Sequence, residues 1–600
     1  MNLNFEERNT PKVVENVREV TAAFELIWLE LNQDARELAC LLSIFALAPI
    51  SWDLVEECFS QKDGEDTEDL KFIRDDLLVN LNLLDYQGEN TYQLHKLIRA
   101  FLINKQKECA YIEDIKGDFC RVMAAIGRNI SQTPTKSEII EFPPLIPHFI
   151  EAATHQKDYL TDKDLIFPFV ALGRFYEAQA AYEKALSWFE QCLAISRERF
   201  GESHPDVATS LNNLAVVYSS LGDYEQAEPL LLEALRVRKK TLGEEHLDVA
   251  RSLNNLAAFY NSQGDYEGGE PLLKQALQMT KKLLGEEHLH VAASLNNLAA
   301  LYNLQGRYEQ AELFSLQTLQ MRKKILGEEH LDVATSLNNL ALLYRSQGHY
   351  QEAEPLFLEA LQMQKKLLGE LHPRVANSLN NLAALYSSQG DYNQAEPLLK
   401  EALEIRKKVL GEEHPDIARS LNSLGLLYRL QGRYKEAEEL LKEVLQMQKK
   451  FVGDSHPNIV QTLSNLAKLY CLQRRNQEAE ILLKQGLEIR KQFLGKEHPN
   501  VATSLNNLAD FYRSQGCNQE AEELLKQALE IQKRLLGESH PNVATSLNNL
   551  AEIYHSQGRF LEAESLYVQA LSIAEKLLAV NHPKIILFRK NLQYLRDAQN

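Results

Sequence analysis

Pairs of adjacent asparagines are the side chains of this sequence best suited to repeated hydrogen bonding. They lie within the hexapeptide SLNNLA, which begins at Ser210, Ser252, Ser294, Ser336, Ser378, Ser504 and Ser546. Asparagine is a mediocre helix former because its amide competes for backbone hydrogen bonds, so its recurrence among helix formers indicates a task beyond holding a helix. Each amide offers a donor and an acceptor, the two groups that a peptide unit presents. The pairs are therefore candidates for binding the main chain of an extended peptide.

Histidine recurs with the same regularity, at positions 204, 246, 288, 330, 372, 414, 456, 498, 540 and 582. Successive histidines lie 42 residues apart, without the close cluster of His, Cys and carboxylate ligands that a metal site needs. We therefore expect them to cap helices or to pack between repeats, and we expect no metal site. The sequence holds no GxxxxGK[ST] phosphate-binding loop and no recognisable Ser/His/Asp or Cys/His constellation, so it predicts neither an enzyme nor a bound cofactor.

The elements that position these side chains follow the same 42-residue period. Nine units span residues 201–578, and a degraded unit precedes them. In the unit 327–368, apolar residues spaced by three and four indicate two amphipathic helices, the first carrying Leu337 and Tyr344 and the second carrying Phe357. Because a helical hairpin cannot cover its own apolar face, the units must stack on one another as a solenoid.

This pattern resembles the tetratricopeptide repeat, and the 42-residue length with the segment LGEEHP, residues 410–415, resembles the kinesin light chain variety. The resemblance implies an all-α, right-handed superhelix of helical hairpins whose first helices line a concave groove. It turns six residues of the unit 327–368 toward that groove: Thr335, Asn338, Asn339, Leu342, Arg345 and Ser346.

The candidate binding residues are the asparagines and arginines that occupy these groove positions along the array. On similar proteins such asparagines hydrogen-bond the backbone of an extended peptide, and an arginine can hold a carboxylate with its fork of donors. The resemblance therefore implies a protein or peptide ligand, with an acidic or C-terminal carboxylate as a further point of attachment. The candidates are Asn212, Asn254, Asn296, Asn338, Asn339, Asn380, Asn381, Asn422, Asn506, Asn548, Arg345, Arg429 and Arg513.

Another interpretation of these residues stays open. The asparagines could bond one another between stacked helices and form a structural ladder, either alone or together with ligand binding. The arginines could be solvated surface charges. Ser423 and Ser464 each replace one asparagine of a pair.

Residues 20–105 follow a different pattern. Helical segments broken near Pro49 precede two short strands, LLDY and TYQL, with a turn at Gln87 and Gly88 between them. This order indicates a winged helix. Together with the segment LHKLIRAFL, it resembles the winged-helix module of NB-ARC (STAND) signalling ATPases.

That family places the histidine of an MHD motif against bound ADP. Here Leu94, His95 and Lys96 take the matching positions, with Lys96 where the family has aspartate. Since the sequence contains no phosphate-binding loop, we expect His95 to be a structural remnant.

Charge and composition narrow the classes of partner. The net charge of -19 argues against nucleic acid or an anionic membrane as the main partner. Residues 1–158 carry 16 Lys and Arg against 28 Asp and Glu, which disfavours DNA binding by the winged helix. The longest apolar run, Leu38 to Ile50, is shorter than the roughly 20 residues of a membrane span, and the first residues lack the features of a signal peptide. Seven scattered cysteines fit free thiols in a reducing cytoplasm.

We therefore expect four parts: a winged-helix-like domain at 1–105, a helical connector at 106–158, ten tetratricopeptide repeats at 159–578, and a capping helix at 579–600. The expected function is a non-catalytic, cytoplasmic scaffold or adaptor that binds a peptide or partner protein in the concave groove. The front segment makes it the sensor arm of an NB-ARC-like system, with an NB-ARC-type ATPase as a possible partner. A cargo adaptor like the kinesin light chains is the alternative, and a DNA-binding regulator is a third interpretation that the charge disfavours.

Overall fold

The computed structural model describes residues 22–59, 67–130, 142–179, 181–412 and 414–599. The chain divides into two compact units, residues 1–201 and 202–600. Residues 1–21, which include the segment without signal-peptide features, lie outside the described residues. So do residues 60–66 of the expected winged-helix-like domain and residues 131–141 of the expected connector. In the described part, no helix is long and apolar enough to cross a membrane.

The first unit packs helices around a small antiparallel sheet with strand order β1-β3-β2, where β1 is Ile50–Ser51, β2 is Asp85–Gly88 and β3 is Thr91–Gln93. Residues 22–30 are helical. The α-helices that follow are Gln33–Ile44, Trp52–Phe59, Thr67–Phe72, Lys96–Lys105, Ile112–Asn129, Ile146–Thr154, Phe167–Ala178 and Tyr182–Phe200.

The predicted hairpin of the first unit is present, but its turn lies two residues later than expected. Glu89 and Asn90 both adopt positive φ, at 47° and 57°, the combination that matches the twist of paired strands. Gly88 is used for a bulge in β2 instead. His95 accepts a hydrogen bond at Nδ1 from the backbone nitrogen of Leu97, 3.3 Å away, and so caps the helix Lys96–Lys105. The assignment of these elements to a winged helix stays a prediction.

The second unit contains nine helical hairpins in its described part, which we call repeats 1 to 9, starting every 42 residues from residue 201. The degraded tenth unit expected from the sequence forms the hairpin of helices Phe167–Ala178 and Tyr182–Phe200 in the first unit. The first helices are Pro205–Leu221, Leu247–Ser262, Leu289–Leu304, Leu331–Gln347, Pro373–Gln389, Pro415–Leu430, Ile459–Leu472, Pro499–Ser514 and Pro541–Ser556. The second helices are Tyr224–Leu242, Tyr266–Leu284, Tyr308–Leu326, Tyr350–Leu368, Tyr392–Leu410, Tyr434–Val452, Asn476–Leu494, Asn518–Leu536 and Phe560–Leu577, and Pro583–Gln599 follows them.

Specific residues cap the two ends of the first helix in most repeats. The periodic histidine caps the first helix, as His330 does when its Nδ1 accepts from the backbone nitrogen of Asp332 at 3.0 Å. Gly348 ends that helix in the left-handed conformation, at φ 87°, which a side chain would disfavour. The predicted capping role of the histidines is confirmed at this position and at its equivalents in the other repeats except repeat 7, where the first helix begins three residues after His456, at Ile459.

Apolar stacking joins each repeat to the next. Ala353 and Phe357 of repeat 4 are fully buried and share one apolar cluster with Leu379 and Leu382 of repeat 5. Burying one such side chain contributes roughly 1.5–3 kcal/mol. A polar link runs beside the cluster, because the Tyr344 hydroxyl donates to Glu312 Oε1 of the preceding repeat at 2.7 Å. The same tyrosine-to-glutamate pair recurs along the array.

Repeats that are distant in sequence also touch, because the superhelix of the second unit returns onto itself. His498 Nε2 lies 3.3 Å from the carbonyl oxygen of Ser262, and His540 Nε2 lies 3.1 Å from that of Leu304. The backbone nitrogen of Ala579 donates to the carbonyl oxygen of Gln347 at 2.8 Å. Each contact joins the end of a first helix to the chain about six repeats further on.

The capping hydrogen bond determines which ring nitrogen of these histidines carries the proton. Nδ1 of His498 accepts from the backbone nitrogen of Asn500 at 2.9 Å, so the ring proton lies on Nε2 and is donated to the carbonyl of the neighbouring turn. His498 is 3% exposed and His540 is 7% exposed. His246 caps the first helix of repeat 2 in the same way, is followed by Leu247 where His498 is followed by Pro499, and is only half-buried. Histidines at the same position of the repeat therefore differ in burial with their place in the superhelix.

A paired glycine substitution measures the contact between turns. A Cβ atom added to Gly264 would lie 2.4 Å from Pro499 Cδ of the next turn, whereas one added to Gly432 would meet no atom within 4 Å. Both glycines have φ near +75°, so either alanine substitution costs about 1 kcal/mol of local strain. We expect Gly264→Ala alone to speed amide hydrogen exchange at the start of helix Pro499–Ser514. Equal exchange in Gly264→Ala and Gly432→Ala would contradict the contact.

The contact between turns should weaken in acid. Burial lowers the pKa of His498 and His540 to about 4, below the usual 6.5, so the neutral rings stabilise the folded state fully above pH 6.5. That stability is lost as the pH falls from about 6.5 to about 4, by at most ~1.4 kcal/mol per pH unit for each histidine. Denaturant unfolding across this range measures it. The variant His498→Asn/His540→Asn keeps a capping side chain and should lose this part of the acid sensitivity; an unchanged pH slope would argue against these histidines as its source.

Candidate ligand-binding groove

First helices of neighbouring repeats contact one another in the second unit, and we call the surface that they line the groove. At repeats 8 and 9 and the final helix Pro583–Gln599 it forms a cavity of about 660 Å³. Its lining includes residues at the expected groove positions of repeat 8: Thr503, Asn506, Asn507, Asp510 and Arg513.

The asparagine pairs form hydrogen bonds across the groove floor from repeat to repeat. Nδ2 of the second asparagine in one repeat donates to Oδ1 of the first asparagine in the preceding repeat. The bonds are Asn255 to Asn212 at 2.6 Å, Asn339 to Asn296 at 3.0 Å, Asn381 to Asn338 at 3.0 Å, Asn465 to Asn422 at 3.0 Å and Asn591 to Asn548 at 3.1 Å. This is the structural ladder that the sequence left open as an alternative.

The hydrogen bonds of the ladder use only one of the two polar groups of each side-chain amide. Asn338 is a bond acceptor through Oδ1, and Asn339 is a bond donor through Nδ2. Over the described residues, the structure shows no partner for Asn338 Nδ2 or for Asn339 Oδ1, and both residues are half-buried. The ladder therefore leaves one donor and one acceptor side by side on the groove surface in this repeat, so a structural role and a binding role are compatible.

Three candidate asparagines lie outside this pattern. Asn254 Oδ1 is buried without a described partner. The Asn380 amide, oriented with its oxygen toward Arg406, accepts from that guanidinium at 2.9 Å, while Ser423, which replaces the expected donor, bonds the carbonyl oxygen of Arg419 in its own helix. Asn506 Oδ1 accepts from the Ser546 hydroxyl at 3.0 Å.

The three candidate arginines differ in their electrostatic state. Arg513 is neutralised, because it pairs with Asp510 at 2.6 Å and with Glu552 at 3.1 Å. For Arg345 and Arg429 no ion pair occurs with any described residue, and burial lowers the pKa of both.

Sequence reasoning missed a further cation of the groove, Lys468, which occupies the position of Leu342 in repeat 7. Its side chain reaches solvent, yet the groove walls surround it. Desolvation there, followed by the charge of Arg429, lowers the pKa of Lys468. The signal that could have revealed it is a lysine at a position that is apolar or small in repeats 1 to 6, and that is acidic in repeats 8 and 9, where Asp510 and Glu552 stand.

Within the described ranges, no group of three or more His, Cys, Asp or Glu side chains is placed to hold a metal ion. Burial raises the pKa of the Cys40, Cys58 and Cys120 thiols, so these cysteines are poor nucleophiles.

Solved structures with similarity to this chain include three of interest. BtubC (BKLC) from P. vanneervenii is 26% identical over 41% of this chain and 93% of that chain, with a TM-score of 0.32. A putative kinesin light chain from Podosopora anserina with nearly identical TPR-like repeats is 32% identical over 34% and 98%, with a TM-score of 0.30. A signal transduction ATPase with numerous domains (STAND) and a tetratricopeptide repeat sensor from Pyrococcus horikoshii is 15% identical over 84% and 64%, with a TM-score of 0.35. No curated protein matches the chain.

Family-level similarity covers most of the chain. Sequence profiles described as tetratricopeptide repeat match residues 168–240, 248–324, 314–366, 332–408, 374–450, 416–492, 458–516 and 500–576, and a second profile of the same description matches 212–283. The chain belongs to the tetratricopeptide repeat family.

Proposed function

We propose that this protein is a non-catalytic scaffold that holds an extended segment of a partner protein in the groove. The observation that carries the proposal is the half-used asparagine ladder. At Asn338 and Asn339 a free amide donor and a free amide acceptor face the groove side by side, and a peptide unit presents the complementary carbonyl and N–H. Binding of the ligand main chain does not select among ligand sequences. That selection depends on groove residues that vary between repeats, such as Arg345, Arg429 and Lys468.

A finer proposal concerns the system in which the scaffold works. We propose that the front segment is a winged-helix module and that the chain is the sensor arm of an NB-ARC-like signalling system in the cytoplasm. The order of helices and hairpin, and Leu94, His95 and Lys96 at the position of the MHD motif, support this. The ATPase would then be a partner, because the sequence has no phosphate-binding loop. A cargo adaptor would use the same groove for a different partner.

Asparagine-to-serine substitutions in the ladder test the binding role. Serine is already tolerated there, because the chain carries Ser423 and Ser464 at equivalent positions. Peptides selected from a display library against the intact protein are measured by fluorescence anisotropy. We expect Asn338→Ser/Asn339→Ser to weaken them about tenfold, since two hydrogen bonds of about 0.5–1.5 kcal/mol are lost.

The matched control is Asn393→Ser, an exposed position on the second helix of repeat 5, which should leave affinity unchanged. Thermal unfolding followed by circular dichroism checks that each variant folds. Unchanged affinity of folded Asn338→Ser/Asn339→Ser would show that the ladder serves stacking alone.

Nucleotide binding separates the scaffold from an ATPase. We expect isothermal titration calorimetry of the purified chain with Mg·ATP to give no stoichiometric binding, because no backbone cradle for phosphate is encoded. When an NB-ARC-type ATPase is added, ATP should bind only at the site of that ATPase. One-to-one binding of ATP by the chain alone would refute the assignment.

A further inference from the structure

Four arginines occupy the same position on the second helices of alternate repeats: Arg238, Arg322, Arg406 and Arg490, each 84 residues from the next. Arg238 is 2% exposed and Arg406 is 1% exposed, so they are among the largest fully buried side chains of the protein. A buried guanidinium normally pairs with a carboxylate, because an isolated charge loses its hydration.

The contacts of these arginines are to neutral groups. Arg406 donates to the Ser420 hydroxyl and, through Nη2, to Asn377 Oδ1 at 2.6 Å. Arg490 donates to the Ser504 hydroxyl at 2.8 Å. Among the residues the structure describes, no carboxylate lies within ion-pair distance of any of the four. Burial lowers the pKa of Arg238, Arg406 and Arg490 to about 10, and the aspartates that begin the next repeats, Asp248 and Asp416, only partly oppose this shift for the first two.

The intervening repeats show that stacking does not require the charge. Their equivalent residues are the neutral Thr280, Gln364, Gln448 and Gln532. Gln364 accepts from the Ser378 hydroxyl at 2.8 Å, and Gln532 accepts from that of Ser546 at 2.6 Å. Glutamine thus makes the same link to the next repeat that arginine makes to Ser420 or Ser504. The positive charge in alternate repeats must have another use.

The position of the guanidinium groups indicates that use, because they lie directly beneath the groove. Arg406 contacts Asn377, which occupies the groove position of Thr335, and Asn380 of the asparagine series. Arg238 Nη2 donates to Thr209 Oγ1, at the same groove position of repeat 1, at 3.2 Å. In repeat 8 the equivalent Gln532 lines the groove cavity itself. Guanidinium groups without an ion-pair partner among the described residues therefore lie under the groove floor in repeats 1 and 5, and Arg490, also buried, and the half-buried Arg322 hold the equivalent positions of repeats 7 and 3.

We propose that these arginines determine the charge of the ligand: the groove takes an acidic extended polypeptide whose carboxylates lie over repeats 1 to 7. The proposal rests on the proposed function of the groove. The buried guanidinium groups give the floor a positive potential at low local dielectric. Arg429 and Lys468 form no ion pair with a carboxylate of the described residues, although the charge of Asp510 acts on Lys468, and both supply donors for direct contact. Repeats 8 and 9, where Arg513 is already neutralised, would hold the less acidic end. The net charge of -19 disfavours nucleic acid and an acidic polypeptide alike, so only these local charges can attract either. The asparagine ladder favours a polypeptide, and nucleic acid is an outcome of the test.

The chain supplies its own conservative substitution for the experiment. Arg406→Gln/Arg490→Gln installs the residue that alternate repeats already carry, and Lys408→Gln/Lys435→Gln removes the same charge from exposed second-helix positions. The probes are labelled peptides of equal length made of repeated Glu-Ala-Ser or repeated Gln-Ala-Ser, with single-stranded DNA as a competitor. We expect wild type to prefer the glutamate peptide, and the arginine pair of substitutions to reduce that preference about fivefold.

The second measurement is thermal stability. A purely structural role of the arginines predicts that their substitution lowers the unfolding temperature. We expect Arg406→Gln/Arg490→Gln to unfold at an equal or higher temperature than wild type, since a buried charge without a counter-ion is removed, and the lysine control to retain the preference. A lower unfolding temperature with an unchanged preference would make the arginines structural and overturn the proposal.

The remaining outcomes also decide the matter. Equal binding of both peptides that still depends on Asn338 and Asn339 would leave the proposed function intact and refute the acidic ligand. Absence of binding by either peptide to wild type would refute it as well, while the library selection would still test the groove. Stronger binding of the DNA would replace an acidic polypeptide with nucleic acid.

Discussion

Stacking of one helical hairpin on the next is the constraint on which the rest of the second unit depends. No single hairpin can cover its apolar face, so Ala353 and Phe357 are buried only when repeat 5 is present beside repeat 4. Stacking also buries polar side chains in the interface between successive repeats. The asparagine pairs, the tyrosine-to-glutamate bonds and the arginine, glutamine or threonine at the equivalent position of repeats 1 to 8 satisfy hydrogen bonds in that interface.

Sequence reasoning predicted the features that depend on residues close to one another in the sequence. The hairpin division and the histidine caps follow from spacing and from contacts two residues apart, such as His330 to the backbone of Asp332. The asparagine ladder was open to two interpretations because each bond spans 43 residues, and the amide chemistry suits a neighbouring helix as well as a ligand. The turn at Glu89 and Asn90 was placed two residues early because Gly88, the expected turn residue, serves the strand bulge.

The features that were missed depend on geometry accumulated over many repeats. His498 and His246 occupy the same position of the repeat, and His498 is buried where it contacts the end of a first helix six repeats earlier. Helical periodicity places Arg406 on the buried face of its helix, four residues after Ala402, but its bonds to Asn377 of the same repeat and to Ser420 of the next depend on how the helices pack. The charge state of Arg513 likewise depends on Asp510 and on Glu552 of the following repeat.

Contacts between successive turns also give the array a mechanical property. In an open solenoid, each repeat can tilt against its neighbours, and a small tilt at every joint adds up to a large change in length. Here the ends of the first helices of repeats 2 and 3 are bonded to His498 and His540, so lengthening the coil requires breaking those bonds first. The second unit should therefore resist stretching like a closed-wound spring: stiff until the turns separate, and compliant afterwards.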